Sequence, residues 1–257
     1  MNKYILDEKS YIDIKSNSLI VKYSLKNEKT YIEDDKVIDI RKLHKHIKSV
    51  IHKYNKIIFL MDFSHKELSL KESDMIVISI KKLQNIRELA NIPKYVLIVP
   101  GKSFYERFVI TSICLLNSKS KEEKYNFLYD SICDYLDDRV VKTNACGFEN
   151  DKCIAKKDTN CTMGCCHHYK NKYLGILYEK ELHLCEYQKD KKCTAKCITC
   201  KMYMCDTLKK KGYNFNTNNI ITIKRYFNTL QKLVIISSFF VPKEKIIKKI
   251  MLLDLER

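Results

Sequence analysis

Ten of the twelve cysteines in this 257-residue chain lie within the sixty residues from Cys146 to Cys205. In CTMGCC (161–166) and CTAKCITC (193–200), gaps of two or three residues allow two sulfurs from one turn of the chain to reach the same ion. Four thiolates hold zinc tetrahedrally, and iron–sulfur clusters use similar local spacings. The sequence therefore predicts one or two sites for zinc or an iron–sulfur cluster. The candidate metal ligands are Cys146, Cys153, Cys161, Cys165, Cys166, Cys185, Cys193, Cys197, Cys200 and Cys205.

These cysteines form two groups along the chain, and each group has enough sulfurs for one tetrahedral site. Ligands from the two groups can also interleave, because the longer gaps bring sulfurs from another loop. We expect the fold of residues 146–215 to depend on the metal, since this segment has few apolar residues to bury. The later group is Cys193, Cys197, Cys200 and Cys205, joined or partly replaced by Cys185, and the earlier group is Cys146, Cys153, Cys161, Cys165 and Cys166.

The adjacent pair Cys165 and Cys166 is followed by His167 and His168, which raises the alternative of a reactive thiol beside a base. Neighbouring residues rarely both point inward, so we interpret the two histidines, and also His183, as solvated or supporting residues. The pair is accordingly interpreted as one metal ligand and its neighbour. No catalytic residue is predicted.

The cellular compartment decides between metal ligation and disulfides. The start of the chain, MNKYILDEKS, carries charges where a secretory signal would need an apolar run, and the most apolar window (233–241) is too short to span a bilayer. We therefore expect a cytoplasmic protein without a transmembrane segment. Thiols are kept reduced in that compartment, which favours metal binding over structural disulfides.

The formal net charge of +17 suggests an anionic partner such as nucleic acid, but only six of the 48 basic residues are arginines. Arginine is the residue that most often reads guanine and clamps phosphate through two hydrogen bonds. A surplus of lysine is also typical of a well-solvated surface. Nucleic acid is therefore an alternative partner, and a protein partner is favoured.

The first part of the chain alternates strand and helix patterns, which predicts an α/β layer domain with a mixed sheet and helices over residues 1–142. Two of its helices start with a capping-box signature, Ser69-x-x-Glu72 and Ser120-x-x-Glu123. Cys114 and Cys133 lie in its apolar helical patterns and are interpreted as small buried side chains. The predicted strands are two within 11–24, then 56–63 and 94–101, and the predicted helices are 36–54, 69–89, 103–116 and one after Ser120.

This part resembles the SpoIIAA-like, STAS-type regulatory domains, on the strength of FLMDF (59–63), VLIVPG (96–101) and the closing YNFLYDSICDYLDD (125–138). The resemblance implies a domain that regulates by contacting a protein partner. Phosphorylated members carry an Asp-Ser pair after the central strand, and SHKELSLKESD (64–74) lacks it at the matching distance. No phosphorylation site is therefore carried over to Ser64, Ser69 or Ser73, and Ser69 is interpreted as a helix cap.

The second part, residues 146–257, is predicted to be a cysteine-rich metal-binding module followed by C-terminal helices at 220–240 and after Pro242. Over 146–205 it resembles the zinc- or iron-chelating cysteine-cluster domains of bacteria, through its Cys-Cys pair and its cysteine-rich closing segment. That resemblance implies metal binding. CTAKCITC also has the C-x3-C-x2-C spacing of radical S-adenosylmethionine enzymes. A radical enzyme is disfavoured, because Thr199 replaces the usual aromatic residue and only 57 residues follow the motif.

These features predict a non-enzymatic regulatory or binding protein with a metal module, which can also sense redox state. An iron–sulfur enzyme or electron carrier is one alternative, and a zinc-stabilised nucleic-acid-binding protein is the other. An ordinary hydrolase or kinase is disfavoured because five glycines provide no phosphate-binding loop and no Ser/His/Asp set stands in a recognisable frame.

Overall fold

The computed structural model describes residues 17–24, 29–32, 36–64, 67–99, 105–142, 148–149, 152–153, 188–189, 192–193, 196–204, 206–239 and 241–254. The chain divides into two compact units, Met1–Lys124 and Tyr125–Arg257. This division precedes the predicted boundary at 142–146, so most of the last helix of the predicted first domain belongs to the second unit.

The first unit contains a five-stranded mixed sheet with the strand order β3-β2-β1-β4-β5. Strands β1, β4 and β5 are parallel, and β2 and β3 continue the sheet as antiparallel strands. This mixture of sheet and helices confirms the predicted α/β class. The strands are β1 (Ser18–Ser24), β2 (Lys29–Ile32), β3 (Lys36–Ile38), β4 (Lys56–Asp62) and β5 (Lys94–Val99).

Strand β4 lies between β1 and β5 in the sheet. Its apolar sequence suits this interior position, where Ile57, Ile58 and Phe59 are fully buried. Strand β1 begins just after Asn17, whose φ of 49° suits a residue that tolerates the left-handed region. Of the two strands predicted within 11–24, the second is observed as β1, and the first lies outside the described residues.

Three helices belong wholly to the first unit, and a fourth begins in it. Helix α2 begins with the predicted capping box, in which Ser69 Oγ accepts the Glu72 N–H at 3.2 Å and the Glu72 carboxylate accepts the Ser69 N–H at 2.8 Å. The helices are α1 (Leu43–Val50), α2 (Leu70–Gln84), α3 (Glu106–Cys114) and α4 (Lys121–Lys142).

The predicted helix over 36–54 is wrong at its start. Lys36–Ile38 pairs with β2 as an antiparallel strand, which a local pattern cannot reveal. Asp39 precedes the helical segment and caps it, because its carboxylate accepts the Arg41 N–H at 2.9 Å. The buried face of the helical segment consists of Leu43, Ile47 and Ile51, whereas Ile40 is only half-buried.

In the second unit, α4 is followed along the chain by five shorter helices. The helix predicted over 220–240 is two helices: the first ends at Tyr226, and Asn228 caps the second through a reciprocal pair of hydrogen bonds with Gln231. These helices are α5 (Ile198–Met202), α6 (Asp206–Lys210), α7 (Ile221–Tyr226), α8 (Thr229–Ser237) and α9 (Lys243–Leu252).

The core of the second unit is built on one face of α4, where Tyr125, Leu128, Tyr129, Ile132 and Leu136 recur at helical spacing and are buried. Buried Gln231 fixes the C-terminal helices around this face. Its amide donates to the Tyr125 hydroxyl at 3.0 Å and to the Ile250 carbonyl at 2.9 Å, so the polar group is satisfied. Within the described part of the chain, no helix is long and apolar enough to cross a membrane.

Candidate functional site

Two of the ten candidate ligands, Cys197 and Cys200, have described side chains. The structure describes the backbone of Cys153 and Cys193 in short strands. The remaining candidates lie outside the described residues: Cys146, Cys161, Cys165, Cys166, Cys185 and Cys205. His167, His168 and His183 lie there as well.

Cys153 and Cys193 occupy equivalent positions in two small hairpins. In each hairpin a loop of two residues joins two strands of two residues, and the cysteine ends the second strand opposite the first residue of the first strand. The sequence showed only that the two cysteine groups were loosely alike. The hairpins are β6 (Phe148–Glu149) with β7 (Lys152–Cys153), and β8 (Gln188–Lys189) with β9 (Lys192–Cys193).

Cys197 and Cys200 lie at the start of α5, where Cys197 is the residue that precedes the helix. Cys197 is 4% exposed, and its thiol donates to the carbonyl oxygen of Ser238 at 3.3 Å. Cys200 is half-buried. Cys197 is therefore a core residue whose thiol has a protein partner, and Cys200 is the more exposed residue of the pair.

A third thiol, Cys133 of α4, belongs to the same neighbourhood. The hydroxyl of Tyr129, one turn earlier on α4, accepts the N–H of Ile198, which lies between Cys197 and Cys200 in the sequence, at 3.1 Å. Burial raises the pKa of Tyr129 well above its usual value, so this hydroxyl stays neutral. We call these residues the thiol cluster: Tyr129, Cys133, Cys197 and Cys200.

The sequence predicted that Cys133 is buried, and the structure confirms this, with Cys133 fully buried. It did not predict that Tyr129, one turn before Cys133 on α4, contacts the closing segment at Ile198, because the two segments are far apart in the chain and meet only through tertiary packing. Burial raises the pKa of the Cys133 thiol to about 12, against the opposing effect of Lys201 and Lys196. Cys133 is therefore a neutral thiol in the physiological range of pH.

Protein contacts hold the segment from 196 to 202 on α4 and α8. The Thr199 hydroxyl donates to the Ile235 carbonyl, and the buried ammonium of Lys201 donates to Asp137 at 2.5 Å. With the bond from the Ile198 amide to Tyr129, these contacts satisfy the polar groups of a segment whose side chains at 197–199 are all buried.

One side of α4 carries three aspartates that each bind a lysine from a different part of the second unit. Asp134 and Asp130 raise the pKa of Lys196 above its usual value, although its burial acts in the opposite direction. The lysine partners come from α9, the segment before α5, and α5 itself. The pairs are Asp130–Lys243 at 2.8 Å, Asp134–Lys196 at 3.3 Å and Asp137–Lys201 at 2.5 Å.

The described side chains alone do not form a metal site. Among them, no group of three or more His, Cys, Asp or Glu residues is arranged to hold an ion. Cys200 fits a ligand role through its accessibility. Cys197 would have to release its proton and its hydrogen bond to Ser238 before it could bind a metal. Any complete site therefore needs sulfurs from cysteines whose side chains are outside the described residues.

The serines considered for phosphorylation have structural roles. Ser69 caps α2, as predicted. Ser64 donates both its N–H and its hydroxyl to the Asp62 carboxylate, at 2.9 and 2.5 Å, and Ser73 is fully buried. These contacts favour turns and caps over a phosphate acceptor. A comparison of the chain with protein-family models, curated proteins and solved structures finds no match.

Proposed function

We propose that residues 146–205 form a cysteine-ligated module for zinc or an iron–sulfur cluster, in a non-enzymatic protein that binds or regulates a protein partner in the cytoplasm. The observation that carries this proposal is the repeated hairpin. Cys153 and Cys193 end two hairpins of the same register, and a further cysteine precedes each hairpin closely in the sequence. Repetition of a cysteine in one local geometry is expected when each copy contributes ligands.

The hairpin register also suggests which cysteines share an ion. Residues opposite each other in an antiparallel pair have Cα atoms about 4.5–5.5 Å apart. We therefore expect a cysteine two or three residues before the first strand to share an ion with the cysteine that ends the second strand. This pairs Cys146 with Cys153 and Cys185 with Cys193, one pair for each proposed site.

The described thiols favour Cys200 over Cys197 as the ligand from the closing motif. Cys200 is the more exposed of the two, whereas Cys197 has a buried partner for its proton. Metal-bound thiolates are deprotonated, and a thiolate at Cys197 would face the Ser238 carbonyl oxygen. The second site is thus expected to use Cys185, Cys193 and Cys200 before Cys197.

The proposal is tested on the full chain purified without oxygen, by metal analysis and visible absorption. We expect one or two equivalents of zinc in a colourless protein, or iron and inorganic sulfide in a coloured one. Cys153→Ser and Cys193→Ser should each lower the metal content. Cys114→Ser is the matched control, because burial raises the pKa of Cys114 to about 11 and makes it a poor ligand.

Three outcomes would contradict the proposal. The first is wild-type protein without stoichiometric metal under these conditions. The second is the same metal loss in Cys114→Ser as in the hairpin variants. The third is full metal content in Cys153→Ser and Cys193→Ser. An iron–sulfur enzyme or electron carrier stays the alternative if a cluster is present and turns over electrons with an added donor.

A further inference from the structure

Helix α8 has an apolar outer face. Leu230, Leu233 and Ile236 are 48%, 52% and 45% exposed, and they share one side of the helix at spacings of three residues. The opposite side is buried through Gln231 and Ile235, both 1% exposed. The core therefore already uses one side of α8, and the exposed leucines and isoleucine make its outer face a candidate interaction surface.

Helix α9, which packs against α8, has a cationic outer face. Lys245, Lys248 and Lys249 are exposed on the side opposite the buried isoleucines, and Leu252 beside them is 82% exposed. The two helices are joined at one end, where the Asn228 amide donates to the Leu253 carbonyl at 2.8 Å. An aliphatic stripe and a lysine stripe therefore run on neighbouring helices.

The charge and composition of these two faces decide what can cover them. A second copy of the chain would bring one lysine stripe towards another, in a protein of formal net charge +17. A protein interface would be expected to use tyrosine, tryptophan or arginine as its anchors and to exclude lysine. Exposed leucine and isoleucine beside lysine are instead the composition of helices that lie on membrane surfaces.

We propose that the outer faces of α8 and α9 bind the surface of an anionic lipid bilayer. The side chains of Leu230, Leu233 and Ile236 enter the boundary between headgroups and acyl chains. The three lysines of α9 contact the anionic headgroups, where long lysine side chains reach the interface while their stems cover apolar surface. This proposal does not depend on the proposed function.

The test is flotation of the full-length protein with vesicles of pure phosphatidylcholine and with vesicles of equal parts phosphatidylcholine and phosphatidylglycerol. We expect binding to the anionic vesicles and little to the neutral ones, with binding reduced by added salt. The variant Lys245→Gln/Lys248→Gln/Lys249→Gln should bind about 100-fold more weakly, since each surface lysine contributes about fivefold.

Matched variants separate this surface from general charge attraction. Lys45→Gln/Lys71→Gln/Lys82→Gln removes the same charge from exposed lysines of the first unit and should change binding little. For the apolar stripe, Leu233→Asp/Ile236→Asp should weaken binding at least about tenfold. Leu70→Asp, at a leucine 52% exposed in the first unit, is the control. Circular dichroism and thermal melting confirm that each variant is folded.

Several results would overturn the proposal. Equal losses in the two lysine variants would show nonspecific attraction by net charge. Failure of the wild-type protein to bind anionic vesicles would exclude the lipid surface. In that case, a dimer in sedimentation that Leu233→Asp abolishes would assign the stripe to self-association. Binding to a nucleic-acid duplex that is tighter than binding to the anionic vesicles, and that depends on the α9 lysines but not on Leu233 or Ile236, would assign the cationic face to nucleic acid.

Discussion

Removing the hydrogen bond between the Tyr129 hydroxyl and the Ile198 amide would test whether protein contacts, without a metal, hold the closing cysteine segment. Both residues are buried, at 1% and 0% exposed, and the amide donates at 3.1 Å. Tyr129→Phe keeps the ring and removes the acceptor. A buried amide left without an acceptor costs about 1–3 kcal/mol, so we expect the free energy of unfolding to fall by that amount.

The assay is urea unfolding followed by circular dichroism, combined with hydrogen exchange at Ile198. The loss corresponds to a melting temperature lower by roughly 2–12 °C for a protein of this size. Tyr54→Phe, at a half-buried tyrosine of the first unit, is the control and should change stability by less than about 0.5 kcal/mol. An unchanged midpoint with Ile198 still protected in Tyr129→Phe would refute the reasoning.

The remaining predictions concern charge, pH and capping. Asp137→Ala should destabilise the protein more than Lys201→Met, because Asp137→Ala leaves the ammonium of Lys201, a side chain 3% exposed, without its ion-pair partner. The urea midpoints of the two variants measure the difference, and equal losses of stability would contradict the prediction. Since burial raises the Cys133 pKa from 9.0 to about 12, the protein should lose stability between pH 9 and 12. At pH 10 that loss in the free energy of unfolding is on the order of 1 kcal/mol, and Cys133→Ala should remove it from the pH dependence of urea unfolding. Ser69→Ala should lower the free energy of unfolding by about 1 kcal/mol in the same assay. Ser49→Ala, a change at an exposed serine, serves as its control.

The sign of the pH prediction follows from where the thiol ionises. In the unfolded chain the Cys133 thiol loses its proton near its usual pKa, whereas the folded protein keeps it protonated up to about pH 12. The unfolded state therefore binds fewer protons at alkaline pH, and stability is full below pH 9 and falls above it. A pH dependence of unfolding that is the same in Cys133→Ala would contradict this account.

Local signals explain what the sequence could predict. The buried strand β4 and the face of α4 come from apolar periodicity, and α2 begins at a capping box whose two residues are three positions apart. The error at Lys36–Ile38 arose because pairing with β2 decides between strand and helix there. The break at Asn228 did have a local signal, since Asn228 and Gln231 form the same kind of capping box as Ser69 and Glu72.

The thiol cluster could not be predicted. The apolar pattern around Cys133 correctly indicated a buried side chain, but a local pattern does not show which distant residues pack near it. The three aspartates of α4 were a partial signal, since one face of a helix with Asp130, Asp134 and Asp137 suggests partners of opposite charge. Which lysines would bind them depends on the packing of helices far along the chain.

The contacts of residues 196–202 change what metal binding is expected to contribute. The sequence favoured a segment over 146–215 whose fold depends on the metal, but α5 is already fixed by Tyr129, Asp137, the Ile235 carbonyl and the Ser238 carbonyl. A metal bound through Cys200 would therefore attach the cysteine-rich segment to a helix that protein contacts also hold. Loss of the metal would then release the hairpins and leave α5 in place, which is the arrangement that a metal- or redox-dependent regulatory switch requires.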